Sequence, residues 1–429
     1  MTTIGAIIAG FAILALLGVP IAFAVGVAVA VGIGLGTPFG PEIMFQRMIT
    51  GIDNFVLVAV PLFILTGQLM NAGGITDRIF TFVRRCIGHR NGGLAHSNVG
   101  ASVLFAGMSG SAVADAAGLG AVEIRAMRDQ GYRTDFSAGL TAASSVIGPI
   151  IPPSIPLVLY ATMADVSVGQ LFVAGLVPGV LVALCLSGMV IWMGRKGSFP
   201  REARASWGER LRAFSRAALS LATPGIILVG LVGGAFTPTE AGGIAAAYAL
   251  ILSLFIYRTI RPRDLPKVLV ETMVTTAIVT FIISNVSAFS WLLVINRAGD
   301  AFVASVLAIS ERPWVVLLLI NAALLFLGAL IEAGAVLILM TPILLPLALT
   351  IGVDPVHFGV IMVLNLMIGV ATPPVGMGLF VTAHVARIPV ETMMRAILPF
   401  LVPLFIALAL VTYWPALVLF LPDLLYASR

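Results

Sequence analysis

Charged residues are scarce in this sequence. Only 10% of its 429 residues are Asp, Glu, Lys or Arg, against about a quarter in a typical soluble domain, and 60% are hydrophobic. A chain of this composition has too few polar side chains to cover a large soluble domain. The long apolar runs instead predict an all-α polytopic membrane protein, with a lipid bilayer as its surroundings.

Cysteine, histidine and lysine are also rare, and each shortage excludes a class of chemistry. Two cysteines, Cys86 and Cys185, give neither a disulfide framework nor a metal-binding spacing, and the four histidines are scattered. The two lysines lie outside any G-x-x-x-x-G-K-[ST] motif, so we expect no ATP hydrolysis. The net charge of +5 comes from a few basic loops. We therefore expect no nucleic-acid partner and no cofactor.

The arginine clusters predict which loops lie on the cytoplasmic side of the membrane. Basic clusters at 84–90, 125–133, 195–216 and 258–267 are assigned to the cytoplasm by the positive-inside rule. About thirty residues, 94–123, separate the first two clusters, whereas two full spans need about 40. This segment is therefore predicted to be a re-entrant helical hairpin, with its tip at "GMSGSAVAD".

The chain contains an internal repeat with an offset of 221 residues. This offset places "IGPIIPPS" (147–154) on "IGVATPPV" (368–375), and it places the hairpin tip on "GALIEAGAV" (328–336). The sequence therefore predicts a second hairpin at about 315–344 and two broken transmembrane helices at about 137–164 and 357–385. Counting the spans between the basic loops gives the second repeat the opposite orientation, so the predicted fold has an inverted-topology repeat.

Broken helices suggest a transporter. Proline interrupts the helical ladder, which leaves free carbonyl groups and the N-termini of half-helices near the middle of the membrane. Carbonyl oxygens can hold a cation such as Na⁺, and helix N-termini favour an anionic group of a substrate. The first apolar run, Ile4–Leu35, contains "GVP" in its middle and is predicted to be either one kinked helix or two.

Several polar side chains are candidates for this site. Asp115 and Glu332 are carboxylates at the two hairpin tips, where a charge is costly and suggests function, although each residue alternatively only caps the hairpin backbone. The segment Ser109–Ser111 offers oxygens to a cation or alternatively only packs closely. Ser145 and Thr372, beside the two breaks, are further oxygen donors. In "FTPTEAG" we expect Thr239 to be a helix N-cap and Glu240 to lie in the first turn.

Four motifs in this order resemble one known family. They are "GMSGSAVADAAGLG" (107–120), "IGPIIPPS" (147–154), "GGAFTPTEAGG" (233–243) and "IGVATPPVGMGLF" (368–380). Together they resemble the large membrane subunit, the DctM-like family, of tripartite ATP-independent periplasmic (TRAP) transporters, over essentially the whole chain. The resemblance implies Na⁺-coupled uptake of an organic acid across the bacterial inner membrane by an elevator mechanism, in which a transport domain moves against a scaffold.

The resemblance also implies a division of the chain and a set of site residues. Scaffold and arm helices occupy 1–93 and 195–313, and the two transport-domain repeats occupy 94–194 and 314–429. One Na⁺ site is expected at Ser109, Gly110, Ser111, Gly148 and Pro152, and a second at Gly328, Glu332, Gly369, Thr372 and Pro373. The expected substrate-binding residues are Ser111, Asp115, Ser145, Pro153, Glu332 and Thr372.

The family implies two protein partners: a small membrane subunit of about four helices and a periplasmic substrate-binding protein. Because this sequence leaves no room for four extra helices, the small subunit is expected to be a separate chain. The main alternative is a stand-alone Na⁺/dicarboxylate carrier that needs no binding protein. An intramembrane enzyme would need a nucleophile–base pair or a metal cluster, which the scattered histidines do not provide, and a channel fits paired breaks less well than a carrier.

Overall fold

The computed structural model describes residues 9–11, 13, 14, 17–36, 39–196 and 199–426. Every regular element in these residues is a helix. In the first part of the chain the helices are α1 Ile21–Gly36, α2 Glu42–Ile52, α3 Ala59–Ala72, α4 Ile75–Ile87, α5 Gly93–Ser109, α6 Ala112–Ala117, α7 Leu119–Asp129, α8 Thr134–Ser144, α9 Ile155–Ala164 and α10 Val168–Lys196.

The second part of the chain continues in the same way. Its helices are α11 Trp207–Val232, α12 Pro238–Ile251, α13 Leu265–Ile295, α14 Ala298–Ile309, α15 Pro313–Leu330, α16 Ala333–Thr350, α17 Pro355–Val370, α18 Met377–Ala386, α19 Val390–Tyr413 and α20 Ala416–Tyr426. Among the described residues, eight helices are long and apolar enough to cross a membrane. The predicted all-α polytopic fold is therefore confirmed.

The repeat predicted from the paired prolines is present as a repeated order of helices. Each copy contains a hairpin (α5 with α6 and α7, or α15 with α16), then a broken helix (α8 with α9, or α17 with α18), then a long helix (α10 or α19). Pro313 follows Gly93 by 220 residues and Pro355 follows Thr134 by 221, so these helix starts keep the predicted offset to within one residue. Each break contains a cis bond between its two prolines.

The first apolar run lies only partly within the described residues. Residues 4–8, 12, 15 and 16 are outside them, so the question of one helix or two is settled only for the remainder of the run. In that remainder a turn at Leu17 and Gly18 precedes α1, and Gly18 has a φ of +80°, which favours glycine. The described part is therefore interrupted at the "GVP" position.

The two repeats pack into each other. Helix α19 of the second repeat packs on α8 of the first, and α9 packs on α16. Gly359 allows the close approach of α17 to α9, since a methyl group on it would lie 2.4 Å from the Tyr160 ring. The Tyr160 hydroxyl donates to the Pro355 carbonyl at 2.7 Å. Helix α17 is buried from Val356 to Val370, so it runs through the core of the molecule.

A second group of helices packs around α13. Helices α1, α2 and α3 all contact α13, and α3 also packs along α12. The amphipathic helix α4 lies between α11 and the first hairpin arm α5. These contacts place the first repeat beside the α1–α3 and α11–α13 helices, with α4 at their junction.

The predicted cap of α12 was assigned to the wrong threonine. Thr237, not Thr239, is the N-cap: its Oγ accepts from the Glu240 N–H at 3.3 Å, and Glu240 accepts from the Thr237 N–H at 2.8 Å. The Thr239 hydroxyl instead donates to the Phe55 carbonyl at 3.0 Å. Because Pro238 suits the first helical position, it moves the N-cap back to Thr237. Glu240 lies in the first turn, as predicted.

Candidate functional site

Both hairpin tips open onto one cavity of about 790 Å³. The first tip contributes Gly110 and Ser111 to its wall, and the second contributes Glu332 and Gly334. The opposite wall comes from α1, α3 and α13. Each arm of the second hairpin is 18 residues long, and its tip ends at the cavity that the first tip also lines. This convergence is the geometry expected of two re-entrant hairpins.

The first tip turns at a glycine that packs on the first break. Helix α5 ends at Ser109, Gly110 has a φ of +56°, and Ser111 caps α6 by accepting from the Ala114 N–H at 3.4 Å. A methyl group on Gly110 would lie 2.7 Å from the Pro153 carbonyl oxygen. Glycine is therefore required here both for the turn and for the close approach.

The first break is fully buried. A short 3₁₀ turn, Ser145–Ile147, follows α8, and residues 148–154 are not helical before α9 begins. Ser154 caps α9 by accepting from the Leu157 N–H at 3.2 Å, and its hydroxyl donates to the Pro149 carbonyl. Because these groups are satisfied locally, an irregular backbone is held in place within an apolar surrounding.

Three oxygens from the first tip and the first break face Gly148. A methyl group on Gly148 would lie 3.3 Å from the Ser145 carbonyl oxygen and 3.7 Å from both the Ser111 carbonyl oxygen and Asp115 Oδ2. Asp115 is 2% exposed, and neither carboxylate oxygen has a hydrogen-bond partner among the described residues. An unpartnered buried carboxylate beside two carbonyls is suited to a cation.

Glu332 caps the second hairpin's inner helix. Its carboxylate accepts from the Gly334 N–H at 2.9 Å and from the Ala335 N–H at 2.7 Å, at the start of α16. Glu332 is also the only titratable residue among those that line the cavity. Glu332 therefore does cap the hairpin backbone, which was one of its two predicted roles, and it also lines the cavity. Its role in binding stays a prediction.

The second hairpin and the second break meet through two glycines. A methyl group on Gly369 would lie 2.8 Å from the Gly328 Cα and 3.1 Å from its carbonyl oxygen. A methyl group on Gly376 would lie 2.5 Å from the Val370 oxygen and 2.7 Å from the Thr372 oxygen. Several backbone oxygens therefore crowd this junction. The Thr372 hydroxyl is already used, since it donates to the Ile368 carbonyl at 2.7 Å.

The predicted site residues divide into two sets. Gly110, Ser111 and Glu332 line the cavity. The others lie behind the tips or in the breaks and are not among the lining residues: Asp115, Ser145, Gly148, Pro152, Pro153, Gly328, Gly369, Thr372 and Pro373. Ser109 ends α5, and its side chain lies outside the description. Four of the six predicted substrate residues, namely Asp115, Ser145, Pro153 and Thr372, are thus not at the cavity wall.

Three polar residues of the cavity wall were not predicted. Gln68 and Asn71 lie on α3, and Thr275 lies on α13. They belong to the part of the cavity wall that α3 and α13 form. Their signal in the sequence is weak: "LTGQLMNAGG" places two amides in an otherwise apolar run, where a polar residue often points into a site. Only the fold shows which face of α3 carries them.

Comparison with known proteins gives a consistent picture. The family model described as "Tripartite ATP-independent periplasmic transporter, DctM component" matches residues 8–417. The sialic acid TRAP transporter large permease protein SiaM of Vibrio cholerae is 46% identical over 407 residues, which are 95% of this chain and 95% of SiaM. The C4-dicarboxylate TRAP transporter large permease protein DctM of Pseudomonas aeruginosa is 40% identical over 376 residues, 88% of each chain.

Two further similarities concern chain length and fold. The sialic acid TRAP transporter permease protein SiaT of Haemophilus influenzae is 44% identical over 384 residues, which cover 89% of this chain but 62% of SiaT. Among solved structures, the YdaH transporter of Alcanivorax borkumensis superimposes with a TM-score of 0.65 over 89% of each chain, at 14% identity. At that identity the likeness shows the fold alone.

Proposed function

This chain belongs to the DctM family of large membrane subunits of TRAP transporters, and from that membership we propose that it imports an organic acid into the cell, driven by Na⁺. As a multi-pass permease of the bacterial inner membrane it is a transporter subunit and not an enzyme. We infer that it works by secondary active transport, because its sequence contains no nucleotide-binding motif.

One observation carries the proposal: the tips of two repeat-related hairpins meet at a single cavity, and each tip rests on its own broken helix. A site at the contact of two such repeats can be exposed to either side of a membrane when the repeats move. A continuous pore needs no such pairing, and an enzyme would need a reactive cluster at the cavity.

The first Na⁺ site is proposed at the Gly148 junction. Ser111 and Ser145 supply carbonyl oxygens there, and Asp115 supplies a carboxylate that no described residue pairs with. Gly110 and Pro152 shape the turn and the break that hold these oxygens. The family resemblance named most of these residues, and we add the Ser145 carbonyl and Asp115 to that site. This moves Asp115 and Ser145 from substrate binding to cation binding.

The second Na⁺ site is proposed at the contact of Gly328 with Gly369. The Gly328 carbonyl oxygen lies there, and the carbonyl oxygens of Val370 and Thr372 face Gly376 further along the same break, which also contains Pro373. Glu332 lies at the tip beside this junction. No described cavity residue is Lys, Arg or His, and the N-terminus of α16 is already capped by the Glu332 carboxylate, so bound Na⁺ would balance the negative charge of an organic acid.

We propose that the transport domain consists of the two repeats, 94–194 and 314–429, which pack into each other through α8 with α19 and α9 with α16. The scaffold would contain α1–α3 and α11–α13. An elevator motion would slide the hairpin tips along α3 and α13, which form the opposite wall of the cavity. The amphipathic helix α4 and the apolar helix α14 would be the arms between the two parts.

TRAP transporters are tripartite by definition, so a small membrane subunit and a periplasmic binding protein are the proposed partners. Relatives such as SiaT, of which this chain covers 62%, have additional length. We propose that the small subunit of this protein is a separate chain, because SiaM, which this chain matches over 95% of its length, is named as a large permease protein. The relatives are named for sialic acid and for C4-dicarboxylates, and both are organic acids.

Reconstituted uptake tests the proposal. Proteoliposomes holding this chain and its small subunit would be supplied with the binding protein loaded with a labelled organic acid, with and without an inward Na⁺ gradient. We expect accumulation only when both the gradient and the binding protein are present. Uptake without the binding protein would favour the stand-alone carrier, and uptake driven only by a proton gradient would contradict the Na⁺ sites.

A further inference from the structure

A buried glutamate in the first repeat has no role in the transport cycle outlined above. Glu123 lies on α7, in the returning arm of the first hairpin, and is 1% exposed. Its Oε2 accepts from the Asn98 amide on α5 at 2.7 Å, whereas its Oε1 has no hydrogen-bond partner among the described residues. It does not line the cavity.

The glutamate belongs to a buried network that joins three helices. The Asn98 amide also donates to the Thr141 hydroxyl at 2.7 Å, and the Ser144 hydroxyl donates to Asn98 Oδ1 at 2.8 Å. Thr141 and Ser144 lie on α8, the first half of the broken helix. The network therefore fastens both arms of the hairpin to the helix that ends at the first break.

No basic side chain in the described part of the protein compensates a charge on this glutamate. None of the ion pairs in the described part of the chain involves Glu123, and the only titratable side chain whose charge acts on it is another acid, Asp115. The other titratable groups on the helices packed against α7, and on α7 itself, neither bond nor pair with it: Asp77, Arg78, Arg84, Arg85, Cys86, His96, Arg125, Arg128, Asp129, Asp135 and His384.

The second repeat has no carboxyl group at the position that corresponds to Glu123. The offset of 221 residues puts Glu123 on Leu344, which is 4% exposed, so the fold accepts an aliphatic side chain there. The same offset puts Ser144 on Asn365, whose amide donates to Asn321 Oδ1 at 2.6 Å and so ties the second hairpin to its broken helix. Both repeats thus tie the hairpin to the broken helix through a buried amide, but the second does so through Asn321, which the offset does not place on Asn98, and without an acid at the position of Glu123.

We propose that Glu123 binds a proton and acts as a neutral acid that holds the first hairpin against its broken helix, so that loss of this proton at high pH switches transport off. An ionised carboxylate here would be buried beside neutral partners alone, the Asn98 amide and the neighbouring Thr141 hydroxyl, which is unfavourable. The neutral acid removes that cost. A metal ion is disfavoured, because hard cations such as Ca²⁺ and Mg²⁺ take about six oxygen ligands, and the network already uses most of its oxygens.

Infrared spectroscopy of the purified full chain in lipid tests this proposal without transport. We expect a protonated-carboxyl C=O band at neutral pH that disappears in Glu123→Gln and persists in Glu271→Gln, a control at an exposed acid paired with Lys267. An identical band in Glu123→Gln and wild type would show that Glu123 is ionised and would overturn the proposal. If the Gln variant does not fold, loss of the wild-type band on titration to alkaline pH still supports it, and an unchanged spectrum over that titration contradicts it.

The switch itself rests on the proposed transport function and is tested by uptake. Wild-type uptake should decline at alkaline pH, and Glu123→Gln, which stays neutral, should lose that decline. Glu123→Leu, which copies the second repeat, should also be insensitive to pH. A decline that is equal in wild type and both variants would overturn the switch, even if the infrared result holds. Absence of uptake in wild type as well as in both variants at every pH would instead contradict the proposed function.

Discussion

At the scale of single residues, Gly110 combines two demands in one position. Its positive φ favours glycine, and its neighbour Pro153 leaves no room for a side chain. Gly131 shares only the first demand, since its φ is +88° but nothing lies within 4 Å of a methyl group placed on it. Comparing substitutions at Gly110 and Gly131 therefore distinguishes the cost of the backbone conformation from the cost of the close contact at the hairpin tip.

We expect Gly110→Ala to be the more damaging of the two substitutions. The left-handed backbone costs each alanine about 1 to 2 kcal/mol, and at Gly110 the contact with the Pro153 oxygen adds about 1 to 3 kcal/mol of overpacking. Thermal unfolding in detergent and Na⁺-driven uptake would be measured for both variants. Equal loss of stability and uptake in Gly131→Ala would show that the contact with the break is unimportant.

Glu332 is the residue at which capping and binding must be told apart. Both Glu332→Ala and Glu332→Gln remove the charge at the cavity, but Gln keeps an oxygen that can accept from the Gly334 or Ala335 N–H. Loss of the cap in the Ala variant should cost about 1 kcal/mol of stability. If the charge helps to bind Na⁺, both variants should need a higher Na⁺ concentration for half-maximal uptake.

The stability of Glu332→Gln should stay near that of wild type, which makes it the control for the cap. A Gln variant with the wild-type Na⁺ dependence would reduce Glu332 to a capping residue. The sequence placed this carboxylate at the tip correctly because an acid in an apolar run is rare. It did not show the cap geometry, which depends on where α16 begins.

At the scale of elements, the internal repeat explains why much of the architecture could be predicted from the sequence. Paired Gly and Pro motifs at a constant offset marked both hairpins and both breaks, because backbone irregularity at membrane depth needs those residue types. The opposite wall of the cavity was missed, since Gln68, Asn71 and Thr275 lie on ordinary continuous helices. The Asn98–Glu123 network was missed as well, because its partners are 25 to 46 residues apart in the chain.

The start of α12 gives an element-scale prediction that follows from the corrected cap. Thr237→Ala removes the hydroxyl that accepts from the Glu240 N–H and should cost about 1 kcal/mol of stability. Thr237→Ser keeps a hydroxyl and should be close to neutral. Thermal unfolding of the two variants is the measurement. Equal unfolding temperatures for Thr237→Ala, Thr237→Ser and wild type would show that the capping box contributes little to this helix.

At the scale of the whole molecule, the elevator proposal requires the first repeat to move against α3. One contact across that boundary is close enough for a disulfide cross-link. A methyl group on Gly118, between α6 and α7, would lie 2.5 Å from Asn71 Oδ1 and 2.9 Å from its Cγ. Cysteines at the two positions would have Cβ atoms within reach of a disulfide, whose Cβ–Cβ distance is about 3.5 to 4.5 Å. The native Cys86 and Cys185 are free and would be replaced by serine.

We expect the double variant Asn71→Cys, Gly118→Cys to form the disulfide on mild oxidation and to lose uptake, because the lock holds the hairpin tip beside the α3 wall. Reduction should restore uptake to the level of the unoxidised double variant, and each single cysteine variant should respond to neither treatment. Cross-linking would be followed on a non-reducing gel after a cut in the turn between α4 and α5 (residues 88–92), because only the disulfide then keeps the two fragments together. A fully cross-linked protein that transports at the reduced rate would contradict movement across this boundary, and with it the assignment of α3 to a static scaffold.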